Sequence, residues 1–177
     1  FCYPFLIPEI MKKVVLLLLV MGTLFSCQKE DILTYATDPQ IYQFKEISAI
    51  TLGGVGASEI SAYDPTTKKL FVVNNSDINR IDVLDLSNPT KPILTGKILM
   101  APYGGYVNSV AVSNGKLAAA IEAANKQAAG KCVVFNTSDL AEIKQITVGS
   151  LPDMVTFSPD GNIIMTANEG EPSDDYV

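Results

Sequence analysis

Pro152-Asp153-Met154-Val155-Thr156-Phe157-Ser158-Pro159-Asp160-Gly161-Asn162-Ile163-Ile164-Met165-Thr166-Ala167-Asn168-Glu169 reads as one β-hairpin. Val155–Phe157 and Ile163–Ala167 are apolar, β-prone runs. Ser158-Pro159-Asp160-Gly161 between them supplies a fixed φ, an Asx-type turn residue and a glycine tolerant of positive φ.

The plan recurs upstream. Val107–Val112 and Lys116–Glu122 flank Asn114-Gly115, a dipeptide suited to a tight hairpin turn. Ile60–Tyr63 and Leu70–Asn74 form an earlier pair joined through Asp64-Pro65. Each complete unit then adds two more strands, Arg80–Leu86 and Ile93–Leu99 in the first, Lys131–Thr137 and Ile143–Val148 in the second. Ala118-Ala119-Ala120 favours a helix by propensity, but its place in the repeat predicts a strand. Phe44–Leu52 alternates well enough to predict a further strand ahead of the repeats.

Glu59, Asn108 and Asp153 begin equivalent strands at spacings of 49 and 45 residues. That period and four short strands per unit predict an all-β chain, a β-propeller of four-stranded blades. About two and a half blades fall within the sequence, over residues 44–177. In such a blade the first strand lines the central channel and the second runs antiparallel beside it. The start of one and the end of the other therefore share a face. Glu59, Asn108 and Asp153 at first-strand starts, with Asn75, Glu122 and Glu169 at second-strand ends, are expected to form one ligand rim. Strand ends are commonly polar for solvation alone, and recurrence across three repeats is what favours the rim.

The N-terminal region has a different character. Residues 1–10 precede Met11 and read as upstream sequence translated from a wrong start, or as an extension of the leader. Met11-Lys12-Lys13 followed by the apolar run Val14–Phe25 has the layout of an export signal, over residues 11–26, and is too short to span a bilayer comfortably. Leu24-Phe25-Ser26-Cys27 resembles the lipobox of bacterial lipoproteins. The resemblance implies acylation at Cys27, anchoring to a membrane, and a tether over residues 27–43. An ordinary secretory leader containing a cysteine is the alternative. Gln28-Lys29-Glu30-Asp31 also resembles the charged tract that sends some lipoproteins to the cell surface, and a plain polar tether would read the same.

Composition narrows the partners. With 13 basic and 19 acidic residues the chain carries a formal charge of −6 and has no basic cluster, which argues against nucleic acid. Of three cysteines, Cys132 lies in an apolar strand and is expected to be a small buried filler. No disulfide framework is available. Tyr103 and Tyr106, flanking Gly104-Gly105, suit packing or contact with a carbohydrate or peptide.

Ala57–Asp64, Leu70–Asn74, Ile81–Pro89, Val107–Val112, Leu151–Phe157 and Ala167–Tyr176 together resemble the choice-of-anchor I family, from about Glu46 onward. That family is similar to mesenchyme-specific cell-surface glycoproteins associated with biomineralisation. The resemblance implies an extracytoplasmic propeller of seven blades at an outer membrane or cell surface. It also raises two function classes, a binding or scaffold module for an ion, glycan or protein, and a metal-dependent phosphatase, because some bacterial relatives carry an alkaline phosphatase label. Glu169, Glu171, Asp174 and Asp175, on a loop shaped by Gly170 and Pro172, are the densest acidic group. Oxygen ligands without histidine suit Ca²⁺ or Mg²⁺, while a solvated acidic loop is the other reading. For an enzyme, Ser109 and Thr156 are the hydroxyls nearest the expected rim. The chain lacks histidine and a Gly-x-Ser-x-Gly elbow, so the binding module is preferred.

Overall fold

The computed structural model describes residues 45–175. The expectations for residues 1–10, the leader, Cys27 and the tether up to residue 43 lie outside the described residues. The compact unit begins at Glu46.

Ten strands follow one another: β1 (Ala57–Asp64), β2 (Lys69–Asn74), β3 (Arg80–Asp85), β4 (Ile93–Leu99), β5 (Val107–Ser113), β6 (Lys116–Ile121), β7 (Ala129–Asn136), β8 (Glu142–Ser150), β9 (Pro152–Phe157) and β10 (Ile164–Asn168). They form two four-stranded antiparallel meanders, β1-β2-β3-β4 and β5-β6-β7-β8, and a hairpin β9-β10. This is an all-β architecture consistent with part of a β-propeller.

The turn chemistry behaves as its residues dictate. Asn114 and Gly115 both take positive φ, 48° and 73°, as a two-residue hairpin turn requires. In the third hairpin Gly161 adopts φ 72°, and Ser158 N donates to Ile163 O at 2.9 Å. Ala118, Ala119 and Ala120 lie in β6 and are wholly buried, so tertiary context overrides helix propensity.

Two apolar layers separate three sheets. Phe71, Val73, Ile81, Val83 and Ile98 of the first sheet pack with Leu117, Ala119, Ile121, Val133 and Phe135 of the second. The opposite face of the second, Ala118, Ala120, Cys132 and Val134, packs with Val155 of the third. Strand alternation thus gives each sheet one face for the sheet before it and one for the sheet after it. The first strands β1, β5 and β9 touch in succession, which makes them the inner strands of the stack. Cys132 is 1 % exposed, and burial pushes its thiol pKa up, in keeping with a filler.

One expected strand is absent. Residues 45–52 belong to no ladder with another described residue, although their alternation invited that reading. A period of two describes only the side chains. A strand also needs a neighbour for its backbone groups.

Candidate functional site

Each predicted rim position at the start of a first strand falls inside a break in strand register. The shifts lie between Ala57 and Ser61, between Val107 and Ser109, and beside Pro152–Met154, where Asn168 pairs with Pro152 and Ala167 with Met154. Glu59, Asn108 and Asp153 are the residues enclosed. A bulge of this kind bends the strand and re-aims its side chains. Ser58, inside the first of these breaks, and Leu151, just ahead of the third, are non-glycine residues with positive φ, 61° and 48°.

The second-strand partners obey one rule as well. Asn75 N donates to Gly56 O at 2.8 Å, Glu122 N to Tyr106 O at 3.0 Å and Glu169 N to Leu151 O at 2.9 Å. In every sheet the residue just past the second strand is therefore tied to the chain just before the bulge. All six predicted residues lie at the same end of the stack.

A run of hydrogen bonds joins them across the sheets. Asn75 Nδ2 donates to Glu59 Oε2 at 3.4 Å within the first sheet and to Val107 O of the second at 2.9 Å. Asn108 Nδ2 donates to Glu122 Oε2 at 3.3 Å and to Pro152 O of the third sheet at 3.3 Å. Carbonyl and carboxylate acceptors on both amide hydrogens fix the orientation of Asn75 and leave its Oδ1 buried without a partner among the described residues. Glu59, Asp153 and Glu169 are exposed, whereas Glu122 is only 6 % exposed. The cover over Glu122 is the Gly104-Gly105 turn. A Cβ on Gly105 would stand 2.4 Å from Glu122 O and 2.9 Å from its Cγ, so only glycine allows that approach.

The acidic loop is less convergent. Glu171 pairs with Lys126 at 3.8 Å and accepts from Gln127 Nε2 through its carbonyl at 3.4 Å. The loop thereby docks on residues 124–127 around a polar cleft of about 540 Å³. Glu169, Glu171, Asp174 and Asp175 are not drawn together, and among the described residues no group of three or more acidic or cysteine side chains is placed to hold a metal ion.

The remaining candidates have structural partners. Ser109 is 2 % exposed, and its hydroxyl accepts from Val155 N at 3.3 Å, linking the second and third sheets. Thr156 Oγ1 donates to Phe157 O at 3.4 Å. Tyr103 lies edge-on to Phe135, with ring centroids 5.7 Å apart, and its hydroxyl donates to Glu142 at 2.9 Å. Burial together with that carboxylate pushes its pKa up to about 12. Tyr106 stays 50 % exposed.

A cluster missed by the sequence reading sits at the outer face of the first sheet. Asp82, 2 % exposed, receives Arg80 Nε at 2.8 Å and Asn74 Nδ2 at 2.6 Å, while Arg80 also pairs with Asp77. The Arg80 guanidinium holds the exposed Asp77 carboxyl down to about 2. The signal was two polar residues, Asn74 and Asp82, paired on one face of otherwise apolar strands.

With this geometry in place, the sequence profile of the choice-of-anchor I domain matches residues 59–177, more than half of the chain. The chain belongs to the choice-of-anchor I domain family. A choice-of-anchor domain is a surface-associated module of exported proteins, and this chain has that character. No curated protein matches. Among solved structures, the chain is similar to Kuenenia stuttgartiensis hydrazine synthase, with 22 % identity and a TM-score of 0.51, over 72 % of this chain and 33 % of that one. The likeness concerns the fold, and the choice-of-anchor chain spans a third of that structure's length.

Proposed function

We propose that this choice-of-anchor I chain is a lipid-anchored, extracytoplasmic binding or scaffold module whose ligand meets the rim of Glu59, Asn75, Asn108, Glu122, Asp153 and Glu169. The observation that carries the reading is a break in strand register at the start of the first strand in three successive sheets, each time enclosing a polar residue at the same end. Solvation alone calls for polar strand ends. It does not call for a break in strand register at the start of the first strand three times over.

The rim offers carboxylate and amide oxygens and contains no basic residue. It would suit a ligand rich in donors or a hard cation, which makes Ca²⁺, a glycan bridged by Ca²⁺, or a cationic protein surface the matching chemistry. Acylated Cys27 would supply the membrane attachment.

Calorimetric titration of full-length protein with Ca²⁺, paired with a phosphomonoester assay with and without chelator, tests the reading. The expected result is calcium binding without turnover, weakened at least tenfold by Glu122→Gln. Turnover abolished by chelation would replace the module with a metal-dependent phosphatase. Membrane fractionation of Cys27→Ser checks the anchor, since release into the soluble fraction is expected.

A further inference from the structure

A second concave surface lies beside the rim, built by two loops that leave the same end of neighbouring sheets. One runs from Glu122 to the start of β7, the other from Glu169 onward. They start at equivalent points, since Glu122 N donates to Tyr106 O and Glu169 N to Leu151 O. Between them lies the open cleft of about 540 Å³. None of the six rim residues lines it, so its chemistry can be argued independently of theirs.

Both walls are set by local bonds. Ala128 N donates to Asn125 O at 2.9 Å and Gln127 N to Asn125 Oδ1 at 3.1 Å, which closes residues 125–128 into a turn. On the other loop Gly170 takes φ 64°, a left-handed conformation that turns the chain off β10, and Pro172 restricts the φ two residues on. Gln127 Nε2 donates to Glu171 O at 3.4 Å, and Lys126 pairs with Glu171 at 3.8 Å. One side of the cleft is thus fastened across, and less remains to be ordered when a ligand arrives.

The lining decides the ligand class. It combines the amides of Asn125 and Gln127, the Lys126 ammonium, and the carboxylates of Glu171, Asp174 and Asp175. A bare cation needs acceptors alone, and an anion needs donors alone. Here the two are interleaved, which matches hydroxyl groups, because each of those both donates and accepts. Among the described residues Asn125 Nδ2 and the Asp174 carboxylate have no hydrogen-bond partner, so a donor and an acceptor both remain available. Three carboxylates against one ammonium oppose an acidic ligand. No strand contributes to the lining, so an extended peptide has no ladder to join. A cation held by the cleft alone is disfavoured, since no three acidic side chains among the described residues are placed to share one. The volume lies within the range of small-ligand sites, ~300–1,000 Å³, and takes a short run of sugar rings.

We propose that this cleft binds a neutral glycan segment, with Asn125, Gln127 and Asp174 hydrogen-bonded to sugar hydroxyls and the Lys126–Glu171 pair closing one side. Calorimetric titration of the full-length protein with triacetylchitotriose, cellotriose, mannotriose and maltotriose tests this. Chelator is kept in the buffer, so that a sugar held through Ca²⁺ at the rim gives no signal. At least one of these trisaccharides is expected to bind. Gln127→Ala and Asp174→Ala, both at exposed loop positions, should each weaken that binding about tenfold, while Asp153→Asn at the rim leaves it unchanged. Absence of binding by all of them would overturn the proposal. Binding indifferent to Gln127→Ala and Asp174→Ala would place the sugar elsewhere and overturn the cleft. Binding of pentalysine or of Ca²⁺ alone, lost in Asp174→Ala while no sugar binds, would assign the cleft to a cationic peptide or an ion and overturn the glycan. The rim reading is decided by calcium titration of Glu122→Gln, so the two fail separately.

Discussion

Asn75→Asp is the sharpest probe of the rim, because it removes one atom's donor character and leaves the shape unchanged. In the native arrangement Asn75 Nδ2 serves Val107 O at 2.9 Å and Glu59 Oε2 at 3.4 Å, and Oδ1 is buried without a partner among the described residues. An aspartate would set an acceptor against both oxygens. Losing the donor to the carbonyl of Val107, a residue with 0 % exposure, costs roughly 1–3 kcal/mol. Repulsion from the exposed Glu59 carboxylate adds about 1 kcal/mol, taken at the high-dielectric end. The expected loss is about 2–4 kcal/mol at neutral pH, or a urea midpoint lower by about 1–2 M for a slope near 2 kcal/mol/M. Asn75→Leu removes the donor without adding charge and should cost about 1–3 kcal/mol. The gap between the two variants should shrink in high salt. An Asn75→Asp protein as stable as wild type at pH 7 would refute the bridge between the first and second sheets.

Two further perturbations address the frame around the rim. Gly130→Ala would place a Cβ 2.5 Å from Pro152 Cδ and 2.7 Å from Ile121 O; we expect a loss of about 1–3 kcal/mol in urea unfolding and a displaced start of β9, seen as chemical-shift changes at Asp153. Asp64, 1 % exposed, is pushed up by burial, but hydrogen bonds from Thr66 N and Thr67 Oγ1, both at 2.9 Å, help to outweigh this and its pKa lies below the usual 3.8. Because its folded pKa is depressed, its stabilisation is present above about pH 4 and is lost as pH falls through the lowered value. Asp64→Asn should be less stable at pH 7 by about 1–2 kcal/mol and show a shallower acid limb. The slope should not vanish, since Asp77, Asp85 and Asp160 are lowered too.

The strands were legible because their signals are local. Asn114-Gly115 can hardly form anything but a tight turn, and β2, β6 and β7 are short, continuous apolar runs, the pattern of strands buried on both faces. The register breaks were not legible, since Ser58 and Leu151 carry no sequence mark of positive φ and the breaks exist only in the pairing with the neighbouring second strand. Position in the repeat placed Glu122 beside Glu59 and Glu169, but could not say that it alone is buried. That follows from Gly105, whose missing side chain lets a turn close over it. The lead-in segment failed for the opposite reason: its side-chain period was visible, and the ladder partner that would make it a strand is not among the described residues.

The six rim residues do not share one role. Asn75 and Asn108 each spend their amide hydrogens on a carboxylate in their own sheet and a carbonyl in the next, so both are fasteners between sheets. Ligand contact then falls chiefly to the carboxylates, of which Glu59, Asp153 and Glu169 are open to solvent and Glu122 is held in place by Asn108. Glu59→Gln, Asp153→Asn and Glu169→Gln should therefore weaken calcium binding while leaving the unfolding free energy from urea titration within about 0.5 kcal/mol of wild type, as surface substitutions do. Asn75 and Asn108 substitutions should lower both together. If the exposed carboxylates change neither binding nor stability, the repeated bulge serves only to turn the chain between sheets, and the ligand belongs elsewhere on the module.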